Sequence, residues 1–199
     1  EITARELSAT GIHWTFSPTL AVARNIRWGR TFESLSEDIE VPTAFAAPLV
    51  EGYQGNDLAA SSTVVATAKH FIADGATDEG IDRGDATITD AEIRAMHLPA
   101  FIEAIDSGVL SVMASFSSIN GEKLHGSRKF LTDILKDELG FDGVVVSDWE
   151  GVTLRERTLD AGLNAGIDMF MFAQSWTTSL PEWLRLAKNG DVPIARIDD

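Results

Sequence analysis

The sequence predicts an α/β protein of the parallel, β/α-repeating kind, and three observations carry that reading. Five short apolar, β-prone runs recur along the chain, at 13–18, 64–70, 110–116, 143–148 and 168–172. Helical patterns separate them, at 41–53, 90–106, 128–138 and 154–165, with further ones at 1–10 and 178–188. Strands alternating with helices build parallel βαβ units. Polar residues also gather just after several of the runs, at 24–30, at Lys69 and His70, at 115–118, at Asp148 and at 174–176. A (β/α)8 TIM barrel assembles its site from the C-terminal ends of many strands in this way. An open doubly wound sheet binding a nucleotide would instead carry a Gly-rich phosphate loop after a strand. RNIRWGR, FIADGA, SSING and WEG all lack that fingerprint. The expected architecture is therefore (β/α)8 TIM-barrel-like and partial, since about five β/α units do not close eight strands.

Individual elements have local reasons. The chain opens on EITARELSATG, a helix already under way with no initiator Met, and stops at IARIDD, so both ends read as cuts within a longer protein. Thr89 followed by Glu92 is a capping-box signature for the helix after it. Gly108, Gly140, Gly166 and Gly190 each stand just past a helical run, where a left-handed residue commonly ends a helix. The Gly-, Asp- and Thr-rich stretch 73–87 reads as one long loop over the mouth.

Bulk properties exclude several function classes. The 199 residues carry a formal charge of −15, from 31 acidic and 16 basic side chains, with no basic stripe of the kind nucleic-acid binding requires. Mean hydropathy is +0.01, and no apolar run approaches the roughly 18 residues of a membrane span. Without cysteine there is no disulfide, thiolate catalysis or cysteine metal site. His13, His70, His97 and His125 lie far apart, with no metal-ligand spacing.

The candidate site residues each have two readings. Asp148 ends the run Val144-Val145-Val146-Ser147 and is followed by Trp149. A carboxylate fixed there can act on a sugar stacked against the indole, or it can cap the next helix. Lys69 and His70 end an apolar run, as donors for sugar hydroxyls and a nearby carboxylate, or as a surface charge and a satisfied core histidine. Arg30 can fork onto vicinal hydroxyls or a carboxylate, or belong to a salt-bridge cluster with Arg27, Glu33 and Asp38. Ser115, Ser117 and Ser118 lack the GxSxG elbow that would support a Ser-His-Asp triad.

Four stretches in order, FSPTLAVARNIRWGRTFESLSED, VVATAKHFIADGATDEGID, VMASFSSINGEKLHG and FDGVVVSDWEG, with AGIDMFM closing the run, cover nearly the whole chain. Together they resemble glycoside hydrolase family 3, in its β-glucosidase and exo-1,3/1,4-β-glucanase branch. The resemblance implies that residues 1–199 are part of the N-terminal (β/α)8 catalytic barrel domain, with a following α/β sandwich domain lying outside this chain. It implies that Asp148 is the nucleophile, and that Arg30, Lys69 and His70 bind glucose hydroxyls. Trp149 would wall the sugar, and Phe116 would be the aromatic residue near the nucleophile.

The implied reaction is retaining hydrolysis of β-glucans or β-glucosides, releasing glucose from non-reducing ends with no cofactor. A sugar-binding Asp would lie upstream of this chain, and the acid/base Glu would come from the following domain. Glu33, Asp74, Glu79 and Glu150 match no acid/base motif. The loop Ile72-Ala73-Asp74-Gly75-Ala76 departs from the PGHGD-like loop of the N-acetylglucosaminidase branch, and Asn25 stands where many relatives carry Asp. The resemblance further implies export to the periplasm or beyond the cell. Two rival classes stand beside it: a non-catalytic carbohydrate-binding remnant of the same barrel, and a barrel lyase using Lys69 as a Schiff-base amine.

Overall fold

The computed structural model describes residues 1–152 and 159–199. Its centre is a parallel ladder of β1 (Thr67–Phe71), β3 (Ser111–Ala114) and β6 (Val144–Val146), in that spatial order. Bridges extend it by one segment on each side. Trp14 pairs with Val65 and Thr19 with Lys69, while Val146 pairs with Met169. All five predicted runs are thus present, parallel and in sequence order. The outer two make isolated bridges and not continuous strands. Among the described residues the five segments form an open mixed α/β layer, with no closed barrel.

Helices fill the crossovers. Helix α1 (Ile2–Ala9) precedes the first segment, and α2 (Glu40–Gln54) leads into β1. Between β1 and β3 the single helix expected at 90–106 is two, α3 (Asp90–Met96) and α4 (Pro99–Asp106). Pro99 has no N–H to continue the first helix, but it fits the first turn of the second. A helix of π type, Lys129–Glu138, joins β3 to β6. Then α5 (Leu159–Ala165) lies before the fifth segment, followed by α6 (Trp176–Asn189) and the short α7 (Ile194–Ile197). The start of the helix expected at 154–165 lies outside the described residues.

Burial explains the ladder. Every residue of β3 and all but Lys69 of β1 are buried, the two-sided burial of a parallel sheet. Val50 of α2 and Phe101 of α4 join Phe71, Val112 and Val145 in one core with Leu131, Leu135 and Leu163. Phe71 meets Phe101 edge-on, with ring centroids 5.1 Å apart. Full burial of such a side chain contributes about 1.5–3 kcal/mol.

The local signals hold. The Thr89 side chain accepts from Glu92 N at 3.2 Å, and Thr89 N donates back to the Glu92 carboxylate at 2.7 Å. Thr89→Ala is therefore expected to lower stability by about 1 kcal/mol, read as a shift in the denaturant midpoint. Gly108, Gly140, Gly166 and Gly190 all take positive φ, from 67° to 118°.

The stretch 73–87 is more ordered than one long loop. It holds two 3-10 turns, Asp74–Ala76 and Asp78–Gly80, and ends in β2 (Asp85–Ala86). With β4 (Ser118–Ile119) and β5 (Glu122–Lys123), β2 forms a second small sheet above the ladder's C-terminal end. Strands of two residues leave no periodicity for sequence reading to find.

Candidate active site

The polar residues that follow the five segments converge at the C-terminal end of the ladder. A cavity of about 1170 Å³ opens elsewhere, at the opposite end, where Trp14, Val65, Ser111, Val144 and Asp168 begin their strands. In parallel β/α architectures the reacting groups stand at the carboxyl ends. The cluster around Asp148, and not that cavity, is therefore the candidate site.

Asp148 leaves β6 with its side chain only 17% exposed. Its Oδ1 accepts from Trp149 N at 2.6 Å, and its Oδ2 lies 3.8 Å from His70 Nε2. His70 is buried at the end of β1 and is held from both sides. Its Nδ1 meets Asp74 Oδ2 at 2.8 Å, and its Nε2 meets an Arg30 Nη2 at 3.1 Å. A guanidinium can only donate, so Nε2 is the acceptor and Nδ1 carries the proton toward Asp74. The sequence reading left Asp74 among the spare carboxylates. The 3-10 turn Asp74–Ala76 folds it back onto His70, which no spacing in the sequence marks.

Arg30 forks onto Glu33 through Nε and Nη2, both at 2.7 Å. Of the cluster read around Arg30, only Glu33 pairs with it, and the same guanidinium reaches His70; Arg27 pairs with Glu79 instead. The hydrogen bond from Arg30 holds Glu33 below its ordinary value, and the same bond raises Arg30 above its own. Lys69, beside it, is lowered chiefly by burial; Arg30 lowers it further, while Glu33, Asp148 and Asp74 pull it back up. A desolvated ammonium facing carboxylates suits donation to substrate hydroxyls.

Trp149 follows Asp148 and is 52% exposed, so its face is open to a ligand. Phe116 is placed less directly. The Arg83 guanidinium stacks 4.3 Å from its centroid, and its ring meets His125 edge-on at 5.6 Å. It reaches Asp148 only through His125, whose Nε2 accepts from Asp148 N at 2.9 Å. His125 is the residue that sequence reasoning missed.

The remaining carboxylates are engaged. Glu79 pairs with Arg27 at 2.7 Å. Glu150 accepts from the backbone of Gln174 and Ser175 and from the Ser175 hydroxyl, tying down the turn after the fifth segment. Asp38 accepts from Glu40 N. Asn25 Oδ1 accepts from Arg27 N at 3.0 Å, a turn contact that Asp would also make. Ser115 accepts from Ser117 N, and among the described residues no serine bonds to His70. No group of three His, Cys, Asp or Glu side chains suited to a metal ion occurs among the described residues. No described helix is long and apolar enough to cross a membrane.

Comparison with known proteins gives a consistent result. Residues 1–199 match the glycosyl hydrolase family 3 N-terminal domain. A lysosomal β-glucosidase from Dictyostelium discoideum is 34% identical over 100% of this chain and 26% of its own length. A β-xylosidase from Formosa agariphila is 39% identical over 84% of the chain and 25% of its own. The crystal structure of the exo-1,3/1,4-β-glucanase from a Pseudoalteromonas species superposes with a TM-score of 0.91 at 42% identity, over 98% of this chain and 25% of that one. The chain thus spans about a quarter of the length of these relatives, and it belongs to glycosyl hydrolase family 3.

Proposed function

We propose that this chain carries the nucleophile and the innermost sugar-binding groups of a retaining β-glucosidase or exo-β-glucanase. The observation that supports this most is the Asp148 carboxylate, half-shielded at a strand end, with His70 at 3.8 Å and Arg30 hydrogen-bonded to the same imidazole. Asp148 attacks the anomeric carbon as the bond to the aglycone oxygen breaks. Water then opens the resulting glycosyl ester, so configuration is retained. Arg30, Lys69 and His70 hold sugar hydroxyls, Trp149 forms the wall beside the ring, and Phe116 backs the site through His125.

The departing oxygen needs a proton, and Glu33, Asp74, Glu79 and Glu150 are already engaged. We assign that proton to a Glu on a following domain of the parent protein, in which residues 1–199 form part of a (β/α)8 barrel. A glucan-degrading role fits an exported or periplasmic enzyme.

The direct test is intact-mass analysis after incubation with 2,4-dinitrophenyl 2-deoxy-2-fluoro-β-glucoside, a donor whose leaving group needs no acid catalyst. The expected result is a one-sugar adduct mapped to Asp148 and absent from Asp148→Asn. The matching xyloside, run in parallel, decides which sugar is preferred. Folded protein that binds glucose without forming an adduct would establish a binding remnant instead.

A further inference from the structure

The geometry points to His125 as a positioning residue for the nucleophile, acting through the backbone amide of Asp148. This inference rests on the assignment of Asp148 above. Along β6 the amides alternate in direction. Val144 N donates toward β3, to Leu110 O at 2.9 Å, and Ser147 N donates toward the fifth segment, to Met169 O at 2.9 Å. Asp148 N must then face the β3 side, as strand alternation requires.

No carbonyl of β3 receives it; the amide donates to a side chain instead. The register sets Met113 opposite Val146, and β3 ends at Ala114. An unpaired amide at a half-shielded position would be costly. The His125 ring accepts that N–H at 2.9 Å.

The ring is held for the task. His125 lies in the 3-10 turn Leu124–Gly126 and is 2% exposed, and the neighbouring Leu124 is fully buried. Phe116 packs on it edge-on. Gly151 leaves room for it, since a Cβ there would collide with His125 Nε2. An acceptor role requires an unprotonated Nε2, hence a neutral ring with its proton on Nδ1. Burial lowers this histidine to about 4; Asp148 opposes the shift, while Lys123 and His70 add to it.

The consequence is catalytic because the Asp148 peptide plane sets the direction of its Cα–Cβ bond. A misplacement of about 1 Å can slow attack on the order of a hundredfold. Two variants separate positioning from packing. Gln at 125 can place an acceptor oxygen near the Nε2 position, whereas Leu fills space without one. Trapping by the 2-fluoroglucoside should be slowed at least about tenfold in His125→Leu, with the donor's dissociation constant within about twofold. In His125→Gln it should run within about threefold of the parent rate.

Equal trapping rates in the parent chain and His125→Leu would overturn the inference. So would equal slowing in both variants, which would make the ring a packing element only. Long-range ¹H–¹⁵N spectra of histidine-labelled protein decide it without any variant. An Nδ1–H tautomer is expected at neutral pH, and an Nε2–H tautomer would refute it. No adduct on the unsubstituted chain would instead sink the assignment of Asp148, a distinguishable failure.

Discussion

Replacing Asp148 with Gly should lower turnover of 2,4-dinitrophenyl β-glucoside by at least about a thousandfold, and sodium azide should restore part of it. The side chain ends a strand against His70 and is 17% exposed, so its removal opens a recess for a small anion on the attacking side of the sugar. Azide then attacks the anomeric carbon there and displaces dinitrophenolate, which leaves with the bonding pair and needs no proton. One displacement inverts the centre, so the product is α-glucosyl azide. Asp148→Asn fills the recess with an uncharged group and should show neither activity nor rescue. Anomeric assignment of the product by NMR checks the claim. A β-azide, or folded Asp148→Gly that azide leaves inert, would contradict the role given to this carboxylate.

How much of this was legible beforehand depends on whether the reason for a feature is local. The five strand runs are local apolar patterns, and each lies in the parallel ladder or its flanking bridges. The capping box at Thr89 is a contact across three residues and reads directly. The interruption of the helix at 97–98 was legible in Pro99, but the apolar period running across it hid the break. The small sheet of β2, β4 and β5 was invisible because its strands of two residues are held by tertiary placement.

The same distinction runs through the site. Asp148, Trp149, Lys69 and His70 lie at the ends of apolar runs, and Arg30 in the polar segment that follows the first, where chemistry-bearing residues draw attention. The structure brings Arg30, His70 and Asp148 together, with Lys69 among the charges around them. His125 sits in EKLHG with no spacing to mark it. Its relevance comes from its contact with the Asp148 amide, a fact of tertiary placement. Asp74 was visible as a residue but not as a partner, because the turn that folds it back to His70 had been read as open loop.

Acidification should destabilise the fold well before most of its carboxylates are protonated, because two histidines are buried in neutral form. His97 is lowered to about 4, chiefly by burial, with Asp74 pulling it up, Arg24 lowering it and Glu92 raising it. His125 is lowered to about 4 by the same dominant cause. Their ordinary value is 6.5. Between pH 6.5 and 4 the unfolded chain therefore binds protons that the native state refuses, so stability rises with pH across that window. It is fully present above about 6.5 and falls as pH drops toward 4. Below about 4 these two groups contribute no further loss.

Each shift corresponds to on the order of 3 kcal/mol, against a total of about 5–15 kcal/mol for a typical domain. The net charge of −15 works in the opposite direction, since protonating carboxylates relieves self-repulsion. That relief belongs mainly to pH values near the carboxylate range, about 4, so the histidine effect governs the upper part of the window. Urea unfolding at pH 7.0, about 5.5 and about 4.5 is expected to give midpoints that fall steadily. His97→Gln should flatten the slope by roughly half, since one of two comparable titrations is removed. Midpoints that hold constant from pH 7.0 to about 4.5 would mean that both rings reach water in the native state, and the neutral acceptor role of His125 would then lose its physical basis.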